Sequence, residues 1–414
     1  MLKGSKNITL VNCLCFMTAA LAAAPDTLRL VNVLYRHGDR SPVSIYPKDP
    51  YQADVWPQGL GWLTEIGMQQ HFKLGQFLRS EYRNLLNSTY VNSEIHIESS
   101  DEDRCLMSAY CNLAGLYPPA GSQVWNPNIT WQPIPVHAVP KFEDNKLNMG
   151  AACPQYNQLY DLKLQSPDVK KIEKENAKFF DFIEKQTGVK KENATEVWKI
   201  GDTLFCEKSH NMMLPNWTEE IWNSKTAYEN LRSLQIWSFI LQYNDTNLNR
   251  LKGGPLLKEF ISNMEKTVSS PANQTYKVFM YSAHDSTIAA VTSAMKVFNF
   301  LNPPYAAALF VELHQIGDQY FVWLRYYNDS GAPYNLTHPD CGLTLCPLEK
   351  FIDVTKDHIP DNWHAECFGT EKSTVSVSVI ALATACGVLL LLLVVLTIAC
   401  LRHRHSTSRY QLLH

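Results

Sequence analysis

The sequence predicts an α/β fold: a central mixed sheet flanked by helices, a smaller and mostly α-helical inserted domain, and a single C-terminal transmembrane helix. Three observations carry this reading. Runs rich in β-branched and apolar residues lie at 28–35 and 276–281, near the two ends of the N-terminal part. Between them, from roughly 155 to 265, the pattern is helical with charged stretches such as 169–185. Residues 375–401 contain no charged side chain, and about 20 apolar residues suffice to cross a bilayer. At 414 residues the chain also exceeds what one core usually holds, so two structural domains are expected.

The elements follow in order. Lys3, Lys6, the apolar run 11–22 and the small residues Ala20, Ala22 and Ala24 read as a signal peptide over 1–24. The first strand, 28–35, runs into Arg36-His37-Gly38-Asp39-Arg40-Ser41-Pro42 and then a proline-containing loop. A helix is expected over 64–86, with Leu74, Leu78, Tyr82 and Leu85 as its apolar stripe. A short strand at 94–98 leads to a helix start at which Ser100 and Asp103 have capping-box spacing, with Arg104 in the first turn. The strand at 276–281 leads into His284-Asp285 and a helix from about Ser286. Two further strands, 308–313 and 320–327, read as a hairpin around Gly317-Asp318. The expected division is a core of 25–110 and 275–368, a helical domain of 111–274, the span 375–401 and a tail of 402–414.

Arg402, His403, Arg404 and His405 follow the span, which places the tail in the cytosol and the N-terminal part in the lumen or outside the cell. Glycosylation sequons at Asn87, Asn128, Asn193, Asn216, Asn244, Asn273, Asn328 and Asn335 suit that side of the membrane. Seven cysteines fall there too, at 105, 111, 153, 206, 341, 346 and 367, so an oxidising compartment leaves at least one thiol unpaired. A net charge of −3 gives no reason to expect nucleic acid as a partner.

The informative residues are basic and fall after strands. Arg36, His37 and Arg40 follow the first, Arg104 the second, and His284 and Asp285 the third. Ligand sites of α/β sheets gather beyond the carboxyl ends of strands, so these groups are expected to converge. Guanidinium groups grip phosphate oxygens in pairs and offset the charge of a transferring phosphoryl group. Their field lowers the pKa of a neighbouring histidine and keeps it neutral and nucleophilic in acid. Gly38 is expected to let the backbone approach a bound anion. Asp285 can donate a proton to the leaving oxygen and later activate water, which favours an acidic optimum. No cluster of metal ligands stands out, and neither a metal nor another cofactor is expected.

Residues 36–42 resemble the signature of the histidine acid phosphatases. Gln58-Gly59-Leu60, Asp103-Arg104, Trp125-Asn126-Pro127, Trp131 to His137 and Tyr281-Ser282-Ala283-His284-Asp285 are similar to the lysosomal and prostatic branch of that family. The resemblance implies an α/β domain with a smaller α domain and hydrolysis of phosphomonoesters in acid. It implies a phosphohistidine on His37, phosphate binding by Arg36, Arg40, Arg104 and His284, and Asp285 as the acid. It also implies the disulfides Cys153–Cys367 and Cys341–Cys346, and a homodimer. Cys206 lacks its family partner, because Ala308 occupies that place, and Cys105 and Cys111 are additional. A narrower phosphatase for lysophospholipid phosphates, nucleotides or phytate is the alternative enzyme, and an inactive membrane glycoprotein the alternative of another class. In the tail, Tyr410 and Leu413 form a Tyr-x-x-apolar string resembling signals read by clathrin adaptors, which points to endosomes or lysosomes. The plasma membrane, or secretion after cleavage, is the other expected destination.

Overall fold

Val31, Val33 and Tyr35 alternate with Leu30 and Leu34, and all five are buried, so the strand that carries them must have both its faces covered. The computed structural model, which describes residues 27–190, 197–270, 276–328, 331–369 and 377–410, places this strand, β1 (Leu28–Arg36), inside an eight-stranded sheet. On one side it pairs in parallel with β6 (Val278–Ala283), which pairs in parallel with β2 (Ile95–Ser100), followed by β3 (His137–Val139). On the other side it pairs antiparallel with β7 (Ala308–Ile316), followed by β8 (Gln319–Tyr327) and β10 (Leu345–Pro347). The short β9 (Tyr334–Leu336) also joins β8. The sheet is therefore mixed and flanked by helices, as the sequence predicts. The hairpin turn falls at Gly317-Asp318, where Gly317 has φ +61°, a conformation that favours glycine.

Helices close both faces. Val31, Val33 and Tyr35 pack with Leu74 and Leu78 of α1 (Glu65–Glu81) and with Ala109, Leu113 and Leu116 of α2 (Asp103–Leu116). Leu30 and Leu34 pack with residues of later helices, among them Phe260, Ile288 and Phe351. Thr64 caps α1 by accepting from the Gly67 amide, as its position suggests, but the helix ends at Glu81 and the chain reaches Leu86 in turns. The cap expected at Ser100 is not formed. Ser100 remains in β2, and Glu102 occupies the N-cap without a side-chain cap, because its carboxylate pairs with Arg104 and Lys141.

The middle of the chain is helical: α3 (Pro154–Leu164), α4 (Pro167–Thr187), α5 (Trp198–Ser209) and, after the small ribbon of β4 (Ile221–Trp222) and β5 (Lys225–Thr226), α6 (Ala227–Tyr243). Phe179, Phe180, Ile200, Leu204 and Leu231 form a core of their own here, and Tyr46 from the loop after β1 joins it. The chain continues through α7 (Thr246–Lys252) and α8 (Gly254–Ser269) to β6, and α9 (Asp285–Ala294) and α10 (Leu348–Thr355) complete the layers. Helix α2 runs through position 111 and β3 extends the sheet to Val139, so sheet-associated structure continues well past 110. The chain to Trp363 forms one compact unit, and a second begins at His364. The second contains α11 (Val377–Tyr410), whose stretch Thr384–Leu401 is long and apolar enough to cross a membrane. The helix continues to Tyr410 instead of ending at Leu401. Leu413 and the signal segment 1–24 lie outside the described residues.

Where the loop after β1 meets α5, two carboxyl groups face each other. Glu207 is fully buried and Asp49 nearly so, and both Glu207 oxygens lack a donor. Two ionised carboxylates buried side by side repel, so the pair is favoured when it holds one proton between them. Burial, then the Asp49 charge, raises the Glu207 pKa above its usual value, and burial raises that of Asp49; the Tyr46 hydroxyl lies near both. A raised folded pKa gives stability that is full below the ordinary glutamate value and is lost as pH rises through the folded one. Glu207→Gln keeps a donor for Asp49 and cannot ionise. Its urea midpoint is expected to exceed that of the parent protein at about pH 8, with the difference shrinking towards about pH 5. A difference that does not vary with pH would contradict the shared proton.

Candidate active site

The parallel register sets three strand ends level. Arg36 lies opposite Ala283, and Ser99 opposite Ser282, so the segments after β1, β6 and β2 leave the sheet side by side. The His37 amide donates to the Ala283 carbonyl and Ala306 donates back to the His37 carbonyl, which locks the turn between β6 and the segment before β7. Arg36, His37, Arg40, Arg104, His284 and Asp285 are gathered in this way at the carboxyl ends of the parallel strands.

Gly38 has a different task from the one expected. A Cβ there would lie 2.4 Å from the Gly67 carbonyl oxygen, and one on Gly67 would lie 2.2 Å from the Asp39 oxygen. Its missing side chain admits helix α1, not an anion. The Gly38 amide donates to Ser108 Oγ, which donates to the Arg104 carbonyl, so the same turn also fixes the start of α2. Asp39 is buried and holds His210 Nε2 at 2.7 Å and the Thr64 hydroxyl.

His37 Nδ1 lies 2.8 Å from the Gly38 carbonyl oxygen. A carbonyl only accepts, so Nδ1 carries the proton and Nε2 presents a lone pair. Burial, then the charges of Arg104, Arg36 and Arg40, holds the His37 pKa well below the usual histidine value. The ring of His284 stands 5.6 Å away, edge to face. His284 is hydrogen-bonded to Ser100 Oγ at 3.1 Å, and burial followed by Arg104 lowers its pKa to about 3. Both imidazoles are thus neutral in moderate acid.

The three arginines share one feature. Arg36 donates to the Pro303 carbonyl and pairs with Asp285, Arg40 uses Nη2 on both Asp202 oxygens and Nη1 on Ser41 and Cys206, and Arg104 pairs with Glu102. Each nevertheless keeps its Nε–H buried without a partner. Buried donors are normally satisfied, so three orphans around an unprotonated imidazole nitrogen suit an oxyanion rich in acceptors.

Asp285 begins α9, where its Oδ1 accepts from the Ser286 amide and its Oδ2 lies 3.0 Å from Arg36. Burial alone would raise its pKa, but the charges of Arg36, Arg40 and His284 outweigh burial and hold it below the usual value. The resting carboxyl is therefore ionised in mild acid, and its own pKa does not account for an acidic optimum. A proton must reach it when an anion offsets the arginines.

Sequence reasoning missed Asp202, Tyr305 and His71. Asp202 orients Arg40 from α5, the Tyr305 ring lies 4.3 Å from the Arg36 guanidinium carbon, and His71 Nε2 donates to the Arg36 carbonyl. None sits in a motif, because each acts on a residue far away in the chain. His137, within the stretch that resembles the family, is in β3, where it stacks on His96, and Trp131 of the same stretch is exposed. Cys341–Cys346 is a disulfide, Cys153 and Cys367 are also disulfide-bonded, and Cys105, Cys111 and Cys206 are free thiols. Of the sequons, Asn87, Asn128, Asn216, Asn244 and Asn335 are exposed and Asn328 is half-buried, while Asn193 and Asn273 lie outside the described residues.

A mixed sheet with an Arg-His-Gly turn at the end of its central strand, ringed by guanidinium groups, belongs to proteins that handle phosphoryl groups. The sequence model of the Histidine phosphatase superfamily (branch 2) matches residues 27–327, and the chain belongs to this family. It is 43% identical over 347 residues to the lysosomal acid phosphatase of Rattus norvegicus, covering 82% of this chain and 80% of that protein. It is 39% identical over 356 residues to the prostatic acid phosphatase of Homo sapiens, covering 84% and 91%. The fold is similar to that of the phytase from Citrobacter braakii, with a TM-score of 0.63 at 17% identity, covering 82% of this chain and 99% of that one.

The depressed histidines make a direct prediction. Imidazole resonances of His37 and His284 in the labelled protein are expected to stay in their neutral positions from about pH 7 down to about pH 4.5. A midpoint above about pH 5 for either would contradict the charge arrangement.

Proposed function

We propose that the protein is an acid phosphatase that hydrolyses phosphomonoesters through a phosphohistidine on His37. The observation that carries this reading is an imidazole whose Nδ1–H is held by the Gly38 carbonyl, leaving Nε2 unprotonated among three arginines with unused buried donors. Nε2 attacks phosphorus while the bond to the leaving oxygen breaks, and Arg36, Arg40, Arg104 and His284 hold the phosphoryl oxygens. Asp285 gives its proton to the leaving oxygen, then takes one from the water that attacks the phosphohistidine, releasing phosphate and His37.

The acid dependence follows from the charge balance. The resting Asp285 is ionised, and a phosphomonoester loses its second proton at about pH 6. Below that pH the monoanionic substrate brings the proton and offsets the guanidinium charges that keep Asp285 acidic. Catalysis should therefore fall as pH rises through about 6.

The same reading extends to the cell. The apolar stretch Thr384–Leu401 serves as a single membrane span with the phosphatase part in the lumen, and Tyr410 and Leu413 direct the chain to endosomes and lysosomes by engaging a clathrin adaptor. Glycans occupy the exposed sequons, Cys153 pairs with Cys367, and two copies form a homodimer by analogy with the family. Residues 154–269 act as the cap beside the sheet domain, contributing Asp202 to the site.

Asp285→Asn tests the mechanism. It keeps the shape but cannot donate a carboxylic proton, so alkyl phosphates should lose about 10²–10⁴-fold and 4-nitrophenyl phosphate much less. Arg104→Ala removes charge from the phosphoryl group that both substrates share and should slow both by similar factors. Equal losses for the two leaving groups with Asp285→Asn would overturn the general-acid role.

A further inference from the structure

A fourth arginine approaches the site from α6. Arg232 lies with its guanidinium carbon 4.2 Å from the ring centroid of Phe205, Phe205 is 5.3 Å from Tyr305, and Tyr305 carries Arg36 at 4.3 Å. Two arginines thus bracket a pair of aromatic rings. Arg36 at the inner end is neutralised by Asp285, and Arg40 by Asp202. Among the described residues Arg232 has no such counter-charge: its Nη1 donates to the neutral amide oxygen of Gln235, and Asp202 and Asp285 act on it only through space. Burial lowers its pKa and Arg36 adds to the shift, while Tyr228, Asp202 and Asp285 oppose it.

The surroundings fit a ligand better than a packing role alone. Asn302 donates to the Arg232 carbonyl at 3.2 Å and so holds this turn of α6 beside the site. Phe205 and Arg232 are only half-buried, whereas Tyr305 behind them is closed off. Arg36 holds Asp285 at 3.0 Å and lies on Tyr305, so the Tyr305–Phe205 pair leads from the carboxyl assigned to the leaving oxygen out to Arg232. An unpaired, half-desolvated guanidinium on an aromatic face is suited to bind an oxyanion attached to a flat or short leaving group.

We propose that Arg232, seated on Phe205 and flanked by Asn302, forms a subsite for a second anionic oxygen group carried by the leaving group of the substrate. The subsite rests on the phosphatase reading and narrows it. Phosphomonoesters with a carboxylate or a further phosphate on the alcohol side are favoured over uncharged ones.

The test uses phenyl phosphate and its 4-carboxy and 4-carbamoyl derivatives, the last two being close in shape and differing in charge. At about pH 6 the intact protein is expected to favour the carboxylate over the carboxamide by about tenfold in kcat/KM, mostly through KM. Arg232→Met, which keeps an apolar chain over Phe205, should bring that ratio close to one, and Arg232→Lys should retain a clear preference. A ratio near one in the unaltered protein overturns the subsite whether or not the variants fold. A preference that survives Arg232→Met does the same. Hydrolysis of phenyl phosphate without a charge preference overturns the subsite and leaves the phosphatase reading standing; no hydrolysis of any of the three overturns both.

Discussion

The parallel register of β2, β6 and β1 is the constraint on which the rest depends. Pairing Arg36 with Ala283 and Ser99 with Ser282 brings three separate pieces of sequence to one level at one edge of the sheet. A shift of one residue would turn each of these side chains to the opposite face. The register is strongly specified because both faces are buried: Leu30 and Leu34 on one side and Val31, Val33 and Tyr35 on the other leave no tolerated slip. Close contact of Gly38 with Gly67 then fixes the exit direction of the β1 turn against α1.

Gathering so many cations has an electrostatic consequence. Arg36, Arg40 and Arg104 destabilise any further positive charge among them, so His37 and His284 stay neutral and the nearby carboxyl stays ionised. The site is kept from excess charge by Asp285, Asp202 and Glu102, each taking part of one guanidinium and leaving its Nε–H unused. That division leaves a preorganised set of donors whose reorientation is not required when charge develops on a bound group. Arg232 departs from the pattern in that no carboxylate among the described residues pairs with it.

Much of this architecture is legible in the sequence where local pattern and tertiary role coincide. β1 and β6 announce themselves because buried parallel strands need continuous apolar runs, and the residues after them form a recognisable string. The hairpin of β7 and β8 is marked by Gly317, whose positive φ the turn requires. Ser100 misleads because Ser before an acidic helix start usually caps, whereas here its hydroxyl is taken by His284 from a distant strand end. Asp202, Tyr305 and Arg232 are invisible for a related reason: each acts on a residue far away in the chain, and nothing local distinguishes them from ordinary helix or loop residues. The resting ionisation of Asp285 is likewise a property of the assembled charges, beyond what its position after a strand conveys.

The central claim is that His37 attacks through Nε2. Rapid mixing with a phosphorus-labelled aryl phosphate, a base quench within one turnover, and peptide mapping measure it directly. The account predicts label on Nε2 of His37, because Nδ1 is held by the Gly38 carbonyl. Label on Nδ1, on another residue, or no bound label during steady turnover would contradict it.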